Sequence, residues 1–435
     1  MHQTRLRRLL AHGSMAALAV TTIALSACGS SAASVNKSLK LGTDFPVSGS
    51  DTGAAKPAEN GVRLAIMQNS STLGNGYTLS ILAENDEKAD GSGASGDIGK
   101  ANIQKLIDDS SVMAGVGPFN SGVAQVEMPL INSAGLAFIS PSNTNPGLTK
   151  RQYADANGIA NFDQLHPAGK PEAYFRLPAT DDVQGMALAT IAAAPKSLGG
   201  PEAHKVFVVD DTTTYGVGLS NYFTTDFMKA GGTILGRESI TSASETTAIP
   251  GLVTKILGLQ PDLVFYGGVT SQGGADLKKA IAAANPAAHT DMLPFLGGDG
   301  IANDSQWATK ATPAGAINSI GTIPSFDAKL ATTSAAQDFA NQYKAAFPGA
   351  DFTSYSTIAY DAAMIEINVI KQLIKDGKAV TRANVRAGVA GISYNGLSGQ
   401  IGFDSNGDNT GPKVFDIWAI IDNSGKWTKI QQVTA

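Results

Sequence analysis

Val112 to Gly122 reads VMAGVGPFNSG. The first five residues are apolar or glycine, as in a strand buried on both faces. Gly117-Pro118 ends the strand, and Asn120-Ser121 can start a helix. The same unit recurs on either side. Leu39 to Phe45, Tyr77 to Ala83 and Leu136 to Ser140 are further short apolar runs closed by Gly, Pro, Asp or Asn. Asp97 to Asp109 carries Ile103, Leu106 and Ile107 at i, i+3 and i+4, the spacing of a helix with one apolar face. The pattern restarts with strand-like Lys205 to Asp210 (KVFVVD), Asp262 to Tyr266 (DLVFY) and Met292 to Leu296. Helix-like Gly216 to Ala230, Ala248 to Leu257 and Gln272 to Ala284 are interleaved with them. Two rounds of βα alternation predict an α/β chain with two mostly parallel sheets flanked by helices, and ligand-facing loops at the carboxyl ends of the strands.

The chain begins with a different kind of segment. Arg5, Arg7 and Arg8 precede an apolar run from Met15 to Ala27, too short to span a bilayer permanently, so residues 1–27 read as a signal peptide. Cys28 is the only cysteine and follows Leu25-Ser26-Ala27. That junction resembles the bacterial lipobox, which implies a lipid on the Cys28 sulfur and two or more acyl chains as a stable anchor. An ordinary signal peptide that leaves a spare thiol is the plainer alternative. Arg7-Arg8 lacks the rest of a twin-arginine motif. Residues 28–38, mostly Ser, Ala and Gly, read as a lipidated flexible tether. Roughly four hundred residues remain, more than one core usually organises, which predicts two lobes. Without the signal the chain has 29 basic and 37 acidic residues, a formal charge of −8. Nucleic acid is therefore an unfavourable partner, and contact with the membrane is expected only through the N-terminal lipid.

Motifs that would carry catalysis fail on inspection. Gly91, Gly93 and Gly96 match G-x-G-x-x-G but follow the polar stretch Glu84 to Asp90 rather than a strand. Gly99-Lys100 is followed by Ala101, and Ala94 stands where a phosphate loop needs its first glycine. Asp404, Asn406 and Asp408 imitate a calcium loop, but Asn409 replaces its glycine and Phe415 its glutamate, so a hairpin turn is expected. Five histidines, without H-E-x-x-H or G-x-S-x-G, give no metal or hydrolase site. No cofactor is expected, and an enzyme is the minority reading.

The informative segments are loops placed just after strands. They are Gly115 to Ser121 (GVGPFNS), Ile139 to Pro146 (ISPSNTNP), Arg176 to Gly185 (RLPATDDVQG), Asp210 to Gly218 (DDTTTYGVG), Val264 to Gly268 (VFYGG), Leu296 to Asn303 (LGGDGIAN), Ala359 to Ala363 (AYDAA) and Gly399 to Asp408 (GQIGFDSNGD). In this order they resemble the leucine/isoleucine/valine-binding family of ABC importer receptors over almost the whole mature chain. The resemblance implies a two-lobed type I periplasmic binding protein fold with three hinge crossings, placed near Asp181, Ile323 and Gly411. It thus implies a first lobe of residues 39–180 plus 324–411, and a second of 181–323 plus 412–435. Lys150 to Lys170 reads as an insertion forming a surface loop or flap.

An amino acid needs neutral donors around its carboxylate and acidic acceptors around its ammonium, and the loops offer both. Ser121 and Thr144 supply hydroxyls. The backbone of Ser142, Asn143 and Thr144 can face an anion, helped by the helix start after Asn120. The resemblance assigns these to the carboxylate, and Asp181 and Asp299 to the ammonium, with Tyr215 and Tyr360 as pocket aromatics. Leucine-type binders often carry glutamate where this chain has Asp299, and aromatics where it has Val269 and Ala54-Ala55. Each residue has a plainer alternative: Ser121 and Thr144 as caps, Asp182 in place of Asp181, the tyrosines as packing. The implied function is a lipid-anchored extracytoplasmic receptor that captures an amino acid, with an aliphatic side chain as first expectation, for an ABC permease and ATPase complex. The same fold around another small polar solute, such as an amide, urea or organic acid, or a ligand-sensing lipoprotein, are the alternatives.

Overall fold

Five short strands form the first sheet of the computed structural model, which describes residues 37–196, 200–242, 248–285, 292–325 and 333–434. The signal-peptide and Cys28 readings lie outside them. β1 (Ser38–Asp44), β2 (Thr78–Glu84), β3 (Val112–Val116), β4 (Ala137–Ser140) and β5 (Tyr174–Arg176) run parallel in the order β2-β1-β3-β4-β5. β3 is buried at all five residues because helices cover both faces. On one face lie the helices Thr52–Asn69 and Ser354–Lys375, whose Val62, Ile358 and Ile365 join Leu41, Ala114 and Ile139. Their axes approach closely at Gly61, where a Cβ would stand 2.1 Å from the Ser356 carbonyl oxygen. On the other face, Gly96–Asp108 and Ser121–Ala134 bury Ile103, Leu106, Met128 and Ile131 with Phe138.

The second sheet contains β6 (Lys205–Asp210), β7 (Thr233–Ser239), β8 (Leu263–Gly267), β9 (Phe295–Gly297) and β10 (Ser319–Ser325). A small hairpin of β11 (Tyr394–Gly396) and β12 (Gly399–Ile401) precedes β13 (Val414–Ile420) and β14 (Thr428–Thr434), which complete the order β14-β13-β10-β9-β8-β6-β7. β13 runs antiparallel to both of its neighbours. Alternation along β6 divides its side chains: Phe207 and Val209 pack with the helices Ile249–Leu259 and Gly274–Ala284, while Val206 and Val208 pack with Asp181–Ala193 and Thr214–Lys229. The chain passes to the second sheet after β5, back to the first lobe's Ser354–Lys375 helix after β10, and again to the second sheet after β12.

A buried ion pair ties β5, at the edge of the first sheet, to the turn that follows β12. The guanidinium of Arg176 on β5 is fully buried; its Nε donates to Asp408 Oδ1 at 2.7 Å, and its two terminal nitrogens donate to the Asn145 carbonyl oxygen and to Thr149 Oγ1. The Asp404 to Asp408 segment is thus a tight turn whose last carboxylate is a structural partner. Part of the 150–170 segment docks on the second lobe: Asn157 Nδ2 donates to the Tyr222 hydroxyl at 2.9 Å, and Asn221 Nδ2 to the Ala156 carbonyl oxygen at 2.7 Å. Among the described residues no helix is long and apolar enough to cross a membrane, and no acidic, histidine or cysteine group is arranged to hold a metal ion.

Candidate functional site

Loops from the carboxyl ends of both sheets enclose a cavity of about 320 Å³. In the first lobe, Ser140 Oγ donates to the Pro118 carbonyl oxygen at 2.8 Å, while Ser142 Oγ and Asn143 Nδ2 both donate to that of Phe119, at 2.6 and 2.7 Å. The Tyr174 hydroxyl fixes Asn143 in turn, at 2.7 Å. These bonds hold the start of the Ser121–Ala134 helix against the cavity, where Asn120, Ser121, Gly122 and Val123 form part of the wall. Asn120 makes no side-chain capping bond, so N–H groups of the first turn are left for an anionic ligand.

In the second lobe the buried carboxylate of Asp211 accepts from the N–H groups of Thr213 and Val269, both at 2.9 Å, and so ties two wall loops together. Burial lifts its pKa to about 6. Thr212, in this wall, has φ 63°, a left-handed conformation that costs a branched residue energy. Thr213 caps the next helix through the Gly216 N–H and leads into Tyr215.

Asp299, in the loop after β9, accepts from the hydroxyls of Tyr215 at 2.9 Å and of Tyr355 at 2.6 Å. Tyr215 belongs to the second lobe and Tyr355 to the first-lobe helix Ser354–Lys375. Burial raises the Asp299 pKa, against the lowering effect of both tyrosines and Gln184. Asp181 begins the Asp181–Ala193 helix, fully buried, with both carboxylate oxygens lacking a hydrogen-bond partner. Its pKa is pushed well above the ordinary range, first by burial and then by the charge of Asp299. Two adjacent buried carboxyls, one without partners, form a place where a cation is stabilised.

Of the residues singled out in the sequence, Ser121, Ser142, Tyr215 and Asp299 line the cavity. Asn143, Thr144 and Asp181 stand behind its wall. Tyr360 is elsewhere: its ring packs 4.7 Å from Phe339 and its hydroxyl donates to Gln68 on the outer side of the helix. Tyr355 takes the pocket position, because five residues along an α-helix turn the side chain by about 140°. Ala54 and Val269 are in the wall, as are Asp51, Thr212 to Thr214, Ser271, Gln272 and Asp304. Asp304 lies one residue beyond the Leu296 to Asn303 segment singled out after β9, and neither it nor Asp51 was marked in the sequence.

The sequence matches the family described as periplasmic binding protein over residues 38–418. A Leu/Ile/Val-binding protein, BraC3, of Rhizobium johnstonii is 25% identical over 355 residues, covering 79% of this chain and 85% of the relative. Among solved structures, the branched-chain amino acid transporter substrate-binding protein LivJ of Streptococcus pneumoniae, in complex with isoleucine, superposes with a TM-score of 0.73. It has 21% identity and covers 92% of this chain and all of that one. A solute-binding protein of an ABC transporter from R. palustris, in complex with 4-hydroxybenzoate, gives 0.69 at 15% identity, covering 91% of this chain and 97% of its own. These likenesses show the two-lobed type I periplasmic binding protein fold.

Proposed function

The chain belongs to the periplasmic binding protein family, and on that premise we propose that it is an extracytoplasmic receptor that captures an α-amino acid between its lobes and delivers it to an ABC permease and ATPase complex. The observation that carries this reading is the polarity of the cavity. One wall presents the uncapped start of the Ser121–Ala134 helix with Ser121, and another presents Asp299, with the partnerless Asp181 behind it. A carboxylate at the first and an ammonium near the second place the two charges of an amino acid as the site demands. Phe119, Val123 and Val269 accept the aliphatic part of a side chain, in keeping with the branched-chain ligands in the names of its relatives.

The ligand closes the cleft because it touches both lobes at once, and the closed surface is what the permease reads. The protein performs no chemistry itself. Cys28 carries the lipid that keeps it at the outer face of the membrane. The lobes divide at the crossings near Asp181, Ile323 and Gly411. The aromatic-acid complex of the R. palustris neighbour marks the rival reading, an organic acid, but no Lys, Arg or His lines this cavity. Calorimetry against the common amino acids, their des-amino counterparts and benzoates tests the choice. Tight binding of amino acids with little binding of des-amino compounds is expected, and the opposite order overturns it.

A further inference from the structure

Asp299 is one of three carboxylates in the cavity wall. The other two, Asp51 and Asp304, come from opposite lobes. Asp51 ends the turn Gly49–Asp51 and Asp304 caps the helix Ser305–Ala311. They are brought to the same part of the cleft, since Asp304 Oδ1 abuts the start of the Thr52–Asn69 helix so closely that a Cβ on Gly53 would stand 2.1 Å away. Asp51 Oδ2 accepts from the Ala94 N–H at 3.3 Å, and Asp304 Oδ1 from the Gln306 N–H at 2.8 Å. Neither forms an ion pair among the described residues. Lys310 acts on both carboxyls and Lys88 on Asp51, and both lysines lie outside the wall. Ser271 Oγ, in the same wall, is buried beside the Asp51 carboxyl.

Resting on the amino-acid reading, we propose that the cavity selects an α-amino acid whose side chain ends in a positive charge, held between Asp51 and Asp304. An aliphatic amino acid matches its own two charges at the Ser121 end and at Asp299. It leaves Asp51 and Asp304 without a counter-ion as closure expels water, and a desolvated charge without a partner is costly. A side-chain ammonium or guanidinium supplies that counter-ion from the ligand, and Ser271 Oγ adds an acceptor. The apolar stem lies along Phe119, Val123 and Val269. The cation also bridges the lobes, since its two carboxylates come from opposite sides of the cleft.

The test is calorimetry of the full-length protein in detergent with L-lysine, L-leucine and L-norleucine, which is lysine without its terminal amine. Lysine should bind at least about tenfold tighter than norleucine. Asp51→Asn and Asp304→Asn, the second of which keeps a capping oxygen, should each bring that ratio below about threefold. Leucine or norleucine binding as tightly as lysine overturns the inference and leaves the amino-acid reading standing. A ratio unchanged in both variants overturns the assignment to these carboxylates. Failure of these three and of the other common amino acids, arginine included, to bind overturns the amino-acid reading itself.

Discussion

The hydroxyl of Tyr355 donates to Asp299 Oδ2 at 2.6 Å, joining a helix packed on the first sheet to a loop after a strand of the second. The ring of Tyr355 is held edge-on against Phe119 at 5.1 Å, so this donor arrives already oriented. Because the other oxygen of Asp299 is bonded by Tyr215 of its own lobe, the carboxylate is fixed on one side and reached across the cleft on the other. Closure and ligand capture therefore meet at one residue.

Tyr355→Phe keeps the ring and removes that bond. A hydrogen bond to a charged group contributes about 1.5 to 3 kcal/mol, and here the loss falls on the closed state. Ligand affinity should drop correspondingly, and ligand-induced compaction in small-angle scattering should need higher ligand concentrations. Unchanged affinity and compaction would show that the two lobes close without this contact.

Asp299→Asn retains the shape but not the charge. If the ligand ammonium lies beside it in a desolvated site, an amino acid should lose roughly 2 to 5 kcal/mol of binding, and the matching des-amino compound much less. Calorimetry on both compounds separates a direct charge contact from general damage to the pocket. Equal losses remove Asp299 from the ammonium site.

At the opposite end the structure separates two hydroxyls that look alike in the sequence. Ser121 faces the cavity, so Ser121→Ala should weaken amino-acid binding by about 1 to 3 kcal/mol. Thr144 Oγ1 is buried without a hydrogen bond, outside the wall. Replacing such a group with a methyl of the same shape is close to neutral, so Thr144→Val should change affinity little. A large affinity loss in Thr144→Val with none in Ser121→Ala reverses the assignment.

What could be read from the sequence follows from burial. β3, β6 and β8 are covered on both faces and appear as unbroken apolar runs, so their places and parallel pairing are legible. β7 and β14 are edge strands with mostly half-buried or exposed side chains, and stretches such as TKIQQVT carry no comparable signal. Ser121, Ser142 and Asp299 stand directly after strands, where an open α/β sheet places its ligand, and are found for that reason. Tyr355 and Asp51 enter the cavity only through the packing of the helices Thr52–Asn69 and Ser354–Lys375, a tertiary fact with no local spacing to announce it.

The anchoring residue calls for a cellular test. If Cys28 carries the lipid, Cys28→Ser should leave ligand affinity intact and move the protein from the membrane fraction to the soluble one. Processed Cys28→Ser that stays in the membrane fraction removes Cys28 as the anchor.

Behind the cavity wall, three buried carboxyls give the first lobe a distinct response to pH. Asp44 at the end of β1 accepts from Asn102 at 2.9 Å and is hydrogen-bonded to the Glu127 carboxyl, whereas the carboxylate of Asp86 has no side-chain partner. Burial, then the charge of Asp44, holds Glu127 well above the ordinary carboxylate range, and burial lifts Asp44 itself to about 6. A carboxyl raised in the folded state binds its proton more tightly there than in the unfolded chain. Its stabilising contribution is therefore present at low pH and is lost as pH rises through the folded value. The window runs from the ordinary carboxylate range upward through pH 6. Glu127→Gln keeps the shape without the ionisation, so its urea-unfolding free energy should fall less steeply between about pH 5 and 8. By pH 8 the variant should be the more stable of the two. Parallel pH profiles for the two proteins would show that Glu127 does not titrate with folding.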